Sequence, residues 1–373
     1  MTSRSLLSRR QFASTLAGAG FGLGLRPGVG EASLPPGAPA DAIQLNSNEN
    51  PYGPSPRALD ALARAQTGAA RYPDAAERQL YEALAAMHGV APEQVVLGCG
   101  SGEILQMADM AFLRPGRTLV ACEPTFEAVL GYARVTGAEA IKLPLTADSR
   151  HDLPRMLAAC NERTGLVYVC NPNNPTGTLV TRDELAFFLE RVPRTAVVLV
   201  DEAYHHFVDD QAYASAFEWL PRLPNLLVVR TFSKVYGLAG LRLGYAVGSR
   251  ETIQAVRAHA AFDNANAGVL AAALASVSDS DHVARQRALN REARAWVCRE
   301  LDKDGRRYIP SHANFLMIEA GRDVGPLIEA FGQRRILVGR RFPSMPGWLR
   351  VSIGTQDEMR TFVDALRAIL AAA

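Results

Sequence analysis

Six short, unbroken apolar runs constrain the fold of this chain more than any other feature. They show no apolar–polar alternation and are separated by stretches with helical periodicity. Strands of this kind are buried on both faces, which is typical of a largely parallel sheet covered by crossover helices. The runs are QVVLG (94–98), RTLVACE (117–123), GLVYVCN (165–171), TAVVLVDE (195–202), NLLVVRTF (225–232) and LGYAVG (243–248). The sequence therefore predicts an α/β fold.

Start signals predict two of the helices between these strands. The stretch SGEILQMADMAFL (101–113) is expected to begin with Ser101 as its N-cap, and TRDELAFFLERV (181–192) begins with a capping box. After about residue 263 the pattern changes to a long helical stretch, two short strands and a closing helix. We therefore predict a large domain and a smaller α+β domain, with an N-terminal segment that packs on the small domain and the site. The predicted ranges are 41–70 for the segment, 71–262 for the large domain and 263–373 for the small one.

Charge and cysteine usage exclude several classes of protein. The formal net charge is +2, and no basic run carries interleaved aromatic residues, so we expect no nucleic-acid partner. The five cysteines are scattered without CxxC spacing, which supports neither a zinc cage nor a dense disulfide framework. His205 and His206 stand near Asp209 and Asp210 but lack the spacing of a metal-binding pair. We therefore expect no metal.

The first thirty or so residues differ from the rest of the chain. Ser8, Arg9, Arg10 and Phe12, followed by a short and mildly apolar run, resemble a twin-arginine export signal. We expect residues 1–32 to be this signal, the twin-arginine machinery to be a partner, and the folded protein to reach the periplasm. The alternative is a disordered tail with chance arginines, and the location is cytoplasmic if the signal is not used. No other segment is long and apolar enough to span a bilayer, so we expect no stable membrane association.

Polar motifs follow four of the apolar runs, at the carboxyl ends where open parallel sheets bind ligands. They are GCGSGE after 95–97, NPNNPTG after 165–170, DEAY after 196–200 and TFSK after 226–230. Lys234 of the last motif is one of only three lysines among forty basic residues, so the need for surface charge does not explain it. A lysine, a carboxylate, an amide-rich turn and a glycine-rich helix entry can together hold a phosphorylated aromatic aldehyde.

With these motifs the chain resembles the fold type I aminotransferases that use pyridoxal phosphate (PLP), and most of all their histidinol-phosphate aminotransferase branch. The resemblance covers nearly everything after residue 41 and rests on the joint order and spacing of its motifs. They are LNSNENPYGPSP (45–56), RYPD (71–74), GCGSGEIL (98–105), PTF (124–126), NPNNPTG (171–177), DEAY (201–204), SKVYGLAGLRLGY (233–245) and LRVSIG (349–354). The resemblance implies PLP as cofactor and transfer of an amino group between an amino donor and a 2-oxo acid.

The resemblance also implies roles around the cofactor ring. Lys234 condenses with the cofactor aldehyde, which only a primary amine can do, and once released it acts as general base. Asp201 faces the pyridine nitrogen and keeps it protonated. Asn174 and Tyr204 bind the ring 3-oxygen, and Tyr204 is counted with Lys234 and Asp201 among the catalytic residues. Phe126 stacks on the ring face.

Five residues are implied to bind the cofactor phosphate. A helix N-terminus favours an anion because its first N–H groups have no partner within the helix. The five residues are Ser101 and Gly102 at the helix start, and Thr231, Ser233 and Arg242. A sixth, Tyr72 of the RYPD stretch, reaches the phosphate from the neighbouring subunit in related enzymes, which implies a homodimer with shared sites.

Substrate recognition is implied for Arg350, Asn174, Asn50 and Tyr52. A planar, two-pronged guanidinium suits the carboxylate of glutamate in one half-reaction and the phosphate of histidinol phosphate in the other, so Arg350 would serve both substrates. Asn50 and Tyr52 belong to the segment that lies over the cofactor in the family. The alternative for both residues is a purely local role in a turn.

Departures from the family pattern concern the substrate. Gly102 stands where an aspartate is common, and Gly339 stands where an arginine is expected before the LR motif, so Arg340 or Arg341 would have to replace it. Export would also separate the enzyme from the cytoplasmic histidine pathway. Three alternatives therefore stay open. They are an aminotransferase for aromatic or other amino acids, a PLP-dependent decarboxylase, racemase or lyase, and an exported PLP-binding protein without catalysis.

Overall fold

The computed structural model describes residues 41–371, so the export signal predicted for residues 1–32 lies outside the described part of the chain. The strands are β1 (Ile43–Leu45), β2 (Val95–Gly98), β3 (Thr118–Glu123), β4 (Glu139–Pro144), β5 (Thr164–Cys170), β6 (Val197–Asp201), β7 (Leu226–Thr231), β8 (Gly244–Gly248), β9 (Tyr308–Ile309), β10 (Phe315–Glu319), β11 (Ile336–Val338) and β12 (Trp348–Ser352). The helices are α1 (Pro56–Ala65), α2 (Asp74–His88), α3 (Ser101–Phe112), α4 (Ala128–Thr136), α5 (Leu153–Ala159), α6 (Arg182–Arg191), α7 (Arg250–Arg257), α8 (Ala267–Val277), α9 (Ser280–Lys303), α10 (Gly325–Gln333) and α11 (Gln356–Ala371).

A seven-stranded sheet in the order β2-β8-β7-β6-β5-β3-β4 forms the centre of the structure. Its strands run parallel except β8, which is antiparallel to both of its neighbours. All six apolar runs are strands of this sheet, as predicted. The sequence did not predict β4, because this edge strand is only partly covered and its residues are exposed or half-buried. This edge strand lacks the continuous apolar run on which the prediction relied, whereas β2 at the opposite edge is buried and has one.

Helices cover both faces of this sheet. On one face Ile104 of α3, Val129 of α4 and Ile253 of α7 are fully buried. On the other face Met156 of α5 and Phe188 of α6 are fully buried as well. Each such side chain contributes about 1.5–3 kcal/mol relative to an exposed one. The carboxyl ends of the parallel strands are therefore held on a rigid frame.

The two predicted helix starts had different outcomes. The capping box of α6 is confirmed, because Thr181 accepts a hydrogen bond from the Glu184 backbone while the Glu184 carboxylate accepts one from the Thr181 backbone. The prediction that Ser101 is an N-cap is wrong, since Ser101 is the first residue of α3 and Gly100 is the cap. Gly100 has a φ of +80°, a conformation that favours glycine.

Strands near the C-terminus form a second, antiparallel sheet in the order β12-β10-β9, and α9, α10 and α11 contribute to the core beside it. The N-terminal strand β1 pairs in parallel with β11, and Leu45 of β1 is buried in that same core. The segment before α1 is therefore joined to the C-terminal strands. The proposed domain boundaries stay a prediction. Within residues 41–371, no helix has the length and apolarity needed to cross a membrane.

Candidate active site

Lys234 lies in the turn that follows β7, at the carboxyl edge of the central sheet. Its Nζ donates a hydrogen bond to the Ser47 carbonyl (3.2 Å) and lies 5.6 Å from the centre of the Tyr204 ring. Burial, followed by the positive charges of Arg350 and Arg242, lowers the pKa of Lys234 to about 8. An amine with this pKa is partly unprotonated near neutral pH, so it can act as a nucleophile or a base.

Asp201 ends β6, the neighbour of the strand that leads to Lys234, and is only 3% exposed. The Tyr168 hydroxyl donates a hydrogen bond to Oδ2 (2.9 Å), and the Ala203 backbone N–H donates one to Oδ1 (3.1 Å). Burial raises the pKa of Asp201 to about 6, although both hydrogen bonds oppose the rise. A bound cation stabilises a buried carboxylate of this kind. The site can therefore hold a protonated ring nitrogen.

The start of α3 meets the central sheet where β2 and β7 end and β8 begins. Gly98, Gly244 and Thr231 lie opposite one another in register across these three strands. A β-carbon at Gly244 would overlap the backbone of Ser101, so only glycine permits this close approach. The backbone N–H groups of Ser101 and Gly102 belong to the first turn of the helix, which has no carbonyl partners of its own and favours an anion.

Arg242 completes this corner. Its guanidinium lies against Gly100, where a β-carbon would overlap it, and its Nη1 donates hydrogen bonds to Ser233 Oγ (3.4 Å) and the Ala239 carbonyl (2.9 Å). Thr231 and Ser233 are buried beside it, and Thr231 Oγ1 accepts a hydrogen bond from the Ser233 backbone (3.0 Å). A guanidinium, two hydroxyls and a helix start fit a phosphate group.

Tyr204 and Arg350 are connected through a buried amide network. Asn48 and Asn174 each donate a hydrogen bond from Nδ2 to the Tyr204 hydroxyl, at 3.0 Å and 3.4 Å. Arg350 donates from Nη1 to Asn174 Oδ1 (2.8 Å) and from Nη2 to the Asn46 carbonyl (2.7 Å). Among residues 41–371 its Nε has no hydrogen-bond partner, and burial lowers the pKa of Arg350 to about 10. A buried cation with an unused donor can bind a carboxylate or phosphate.

The arginines before the LR motif have separate partners. Gly339 lies against Arg350, where a β-carbon would be 3.2 Å from Nε and 2.7 Å from the backbone oxygen, so no side chain fits there. Arg340 forms an ion pair with Glu127 (2.6 Å), and Arg341 forms one with the exposed Asp323 (2.6 Å). Of these two arginines, only Arg340 lies beside Arg350, since Arg340 and Arg350 both contact the Phe342 ring.

The structure gives the following surroundings for four further predicted site residues. Phe126 is half-buried in the loop after β3. Asn50 donates a hydrogen bond to the Val235 carbonyl (2.9 Å) and accepts one from the Tyr52 backbone (3.0 Å), which ties the N-terminal segment to the turn of Lys234. The Tyr52 side chain is 40% exposed. Tyr72 is 77% exposed, and among the described residues no hydrogen bond or ring contact joins it to this site.

Sequence reasoning missed several residues that complete the site. Asn46 and Asn48 were overlooked within NSNEN, although Asn48 has a positive φ of 54°, as asparagine tolerates in tight turns. Tyr168 lies within an apolar run. Because that strand is buried on both faces, its sequence does not indicate which residue forms a hydrogen bond with Asp201. No local sequence pattern indicates Glu127 as a site residue, because its partner Arg340 is 213 residues away in the chain.

Comparisons with known proteins show the family of this chain. The family model described as "Aminotransferase class I and II" matches residues 40–366. The chain is 41% identical over 335 residues to a histidinol-phosphate aminotransferase of Moorella thermoacetica, covering 89% of this chain and 86% of the relative. It is 40% identical over 332 residues to the enzyme of the same name from Symbiobacterium thermophilum, covering 88% and 91%.

A solved structure extends the match to the fold. The histidinol-phosphate aminotransferase of Sinorhizobium meliloti in complex with pyridoxal-5'-phosphate superimposes with a TM-score of 0.83 at 27% identity, covering 89% of this chain and 91% of that one. The fold class predicted from the sequence, fold type I with a mostly parallel sheet flanked by helices, is confirmed. The chain belongs to the class I and II aminotransferases.

Proposed function

We propose that this protein binds PLP and transfers an amino group from histidinol phosphate to 2-oxoglutarate, as the names of its relatives suggest. The observation that carries the proposal is the placement of Asp201 at the end of β6 and of Lys234 just after the neighbouring strand β7, with Arg350 held nearby by Asn174. The amine, the carboxylate and the guanidinium are the groups that a transaminase needs for attachment, electron withdrawal and substrate binding.

The donor set fits PLP at each end. Arg242, Ser233, Thr231 and the start of α3 supply the positive groups and hydroxyls that a phosphate requires. The buried Asp201 carboxylate, whose pKa is raised to about 6, is suited to a cationic ring nitrogen. When bound, PLP supplies an aldehyde that condenses with amines and a protonated ring that withdraws electrons from the substrate α-carbon.

Lys234 would move the proton in this reaction. Its Nζ is held by the Ser47 carbonyl, and the charge of Arg350 together with burial keeps its pKa near 8. Nζ would therefore accept the proton of the substrate α-carbon near neutral pH and return it to the product. The Tyr204 hydroxyl, fixed by Asn48 and Asn174, would donate a hydrogen bond to the 3-oxygen of the cofactor ring and so fix the orientation of that ring.

Arg350 would bind the anionic group of either substrate. It is buried, and its Nη1 and Nη2 donate to Asn174 Oδ1 and the Asn46 carbonyl, while within residues 41–371 its Nε–H has no hydrogen-bond partner. A planar guanidinium can donate paired hydrogen bonds to a carboxylate or a phosphate. One site would therefore serve both half-reactions.

Transamination of aromatic or other amino acids with a single carboxylate is a second candidate. The observation that favours it is the Arg340–Glu127 ion pair, which neutralises the second arginine near Arg350. An amino acid with one carboxylate needs only one free arginine.

A half-reaction tests this proposal. The PLP-loaded protein should lose the absorbance of its lysine-bound cofactor when glutamate or histidinol phosphate is added, and gain that of the cofactor amine. Comparison with aromatic donors separates the two candidates. A PLP-dependent decarboxylase, racemase or lyase would release its product without this lasting conversion, and a protein that only stores the cofactor would show no change with any amino donor.

We also propose a homodimer in which Tyr72 contributes to the partner's site. The support is the exposure of Tyr72, which is 77% accessible in the single chain. Mixing Lys234→Ala and Tyr72→Phe chains should restore activity in hybrid dimers, because one of the two shared sites would then be intact. Unchanged activity of Tyr72→Phe alone would contradict the proposal.

We further propose that residues 1–32 direct twin-arginine export to the periplasm. The support is the order Ser8, Arg9, Arg10, Phe12 in the sequence. Replacing Arg9 and Arg10 by lysine should leave the full-length protein in the cytoplasm, measured by cell fractionation. Normal processing of this variant would refute the proposal.

A further inference from the structure

The Glu127–Arg340 ion pair bridges two distant parts of the site. Glu127 follows Phe126 in the loop after β3, and Arg340 follows β11 near the C-terminus. Arg340 Nη2 lies 2.6 Å from Glu127 Oε2, and the two side chains are 33% and 28% exposed. The pair is therefore partly shielded from solvent, where an ion pair is stronger than on an open surface.

This pair lies within electrostatic reach of Arg350. The guanidinium carbons of Arg340 and Arg350 lie 4.3 Å and 5.3 Å from the centre of the same ring, that of the buried Phe342. The positive charge of Arg340 lowers the pKa of Arg350, and the negative charge of Glu127 raises it. An anion bound to Arg350 would therefore feel both charges.

The backbone explains why Arg340 has this place. No side chain fits at position 339, because a β-carbon there would crowd the backbone and side chain of Arg350. Position 339 therefore cannot supply a positive charge beside Arg350, and the next residue, Arg340, lies there already bound to a carboxylate.

We propose that Glu127 determines how much negative charge the substrate pocket accepts, by neutralising Arg340 beside Arg350. This inference rests on the proposed function, since it concerns the substrates of the same site. A substrate with one carboxylate binds Arg350 and leaves the pair intact. A substrate with a second negative charge, on another carboxylate or on a phosphate, must compete with Glu127 for Arg340. Losing Glu127 therefore favours doubly charged substrates.

Unreactive ligands test this selection without any chemistry. Succinate carries two carboxylates and 3-phenylpropionate carries one, and neither has an amine. Their Kd values can be measured on the PLP-loaded full chain by calorimetry. Glu127→Gln should tighten succinate by about tenfold, the effect of one charge-assisted hydrogen bond, and change 3-phenylpropionate by less than about twofold. Arg340→Gln should weaken succinate, because Glu127 is then unpaired and repels it.

Two further variants separate selection from a general effect of charge. The double variant E127Q/R340Q should lose the gain in succinate binding, because the gain requires Arg340. Glu123→Gln is the matched control, since Glu123 ends β3 and forms a comparable ion pair with Lys142 (3.0 Å). This control should leave the ratio of the two Kd values unchanged.

The inference is overturned if Glu127→Gln leaves the ratio of Kd values unchanged, or if the double variant keeps the full gain. A weaker succinate complex in Glu127→Gln also overturns it, since Glu127 would then position Arg340 for the anion. The half-reaction with amino donors is measured separately. If the cofactor is converted to its amine form but Glu127→Gln leaves the ratio of the two Kd values unchanged, only this inference is wrong. If no amino donor converts the cofactor, the proposed function is wrong.

Discussion

The cofactor end and the substrate end of this site are built in different ways. Asp201 ends one of two neighbouring parallel strands and Lys234 lies just after the other, so the ladder of hydrogen bonds between these strands fixes their relative position. Arg350 instead reaches Asn174 and Asn46 through hydrogen bonds between residues 176 and 304 positions apart in the chain. An incoming anion can replace Asn174 and Asn46 as acceptors of the Arg350 hydrogen bonds, whereas no ligand displaces the hydrogen bonds between the strands of the sheet. Changes at the first end should therefore affect every substrate alike, and changes at the second end should alter which substrate is used.

The largest effect is expected from Asp201→Asn at the cofactor end. Without the buried carboxylate, a cationic ring nitrogen loses its partner, at a cost of about 4 kcal/mol, which corresponds to roughly a thousandfold lower kcat/KM. Steady-state kinetics should show the same factor for different amino donors. Asp109→Asn is the control, because Asp109 is another fully buried carboxyl, in α3, and should leave kcat/KM unchanged. A loss that differs strongly between donors would break the comparison.

Arg350→Gln at the substrate end should raise KM for both the acidic donor and the acceptor. The lost charged hydrogen bonds correspond to ~2–4 kcal/mol. A smaller change is expected in kcat, because Lys234 and Asp201 stay in place. Arg341→Gln serves as control, since Arg341 is paired with Asp323 away from the site. An unchanged KM in Arg350→Gln would move anion recognition to Arg340.

Tyr168→Phe should have a smaller effect at the cofactor end. The Tyr168 hydroxyl donates to Asp201 Oδ2 and lowers the pKa of Asp201, which burial has raised to about 6. Removing the hydroxyl raises this pKa further, so the active, ionised carboxylate forms only at higher pH. We expect about a tenfold lower kcat and an acid limb of the kcat profile that moves to higher pH.

Tyr245→Phe is the matched control for this pH profile. It removes another buried hydroxyl, which is hydrogen-bonded to His88 (3.0 Å) instead of Asp201. Its acid limb should coincide with that of the unaltered protein. If Tyr168→Phe lowers kcat but leaves the acid limb at the same pH, Tyr168 acts through packing alone and not through the pKa of Asp201.

The sequence predicts the cofactor end better than the substrate end for a physical reason. Strands buried on both faces appear in the sequence as unbroken apolar runs. Polar residues directly after such strands lie at the carboxyl edge of a parallel sheet. The sequence therefore predicts that Lys234 and Asp201 lie near each other. The cap of α3 was misassigned by one residue, because the backbone of Gly100, not a side chain, makes the turn.

The contacts of the substrate end depend on tertiary structure that local patterns do not contain. No periodicity links Glu127 to Arg340, which are 213 residues apart. The cofactor end has one contact of the same kind, since nothing in an apolar run distinguishes the Tyr168 hydroxyl that contacts Asp201. The close fit of Gly339 against Arg350, which decides which arginine can approach, is likewise a property of two chain segments brought together.

Covalent trapping tests the central claim most directly. The full chain is loaded with PLP, reduced with borohydride and digested, and the peptides are analysed by mass spectrometry. The chain has only three lysines, Lys142, Lys234 and Lys303, so each outcome is unambiguous. The account predicts a label on Lys234 alone, and none in Lys234→Ala. A label on either other lysine, or an unlabelled peptide 231–242, would contradict it.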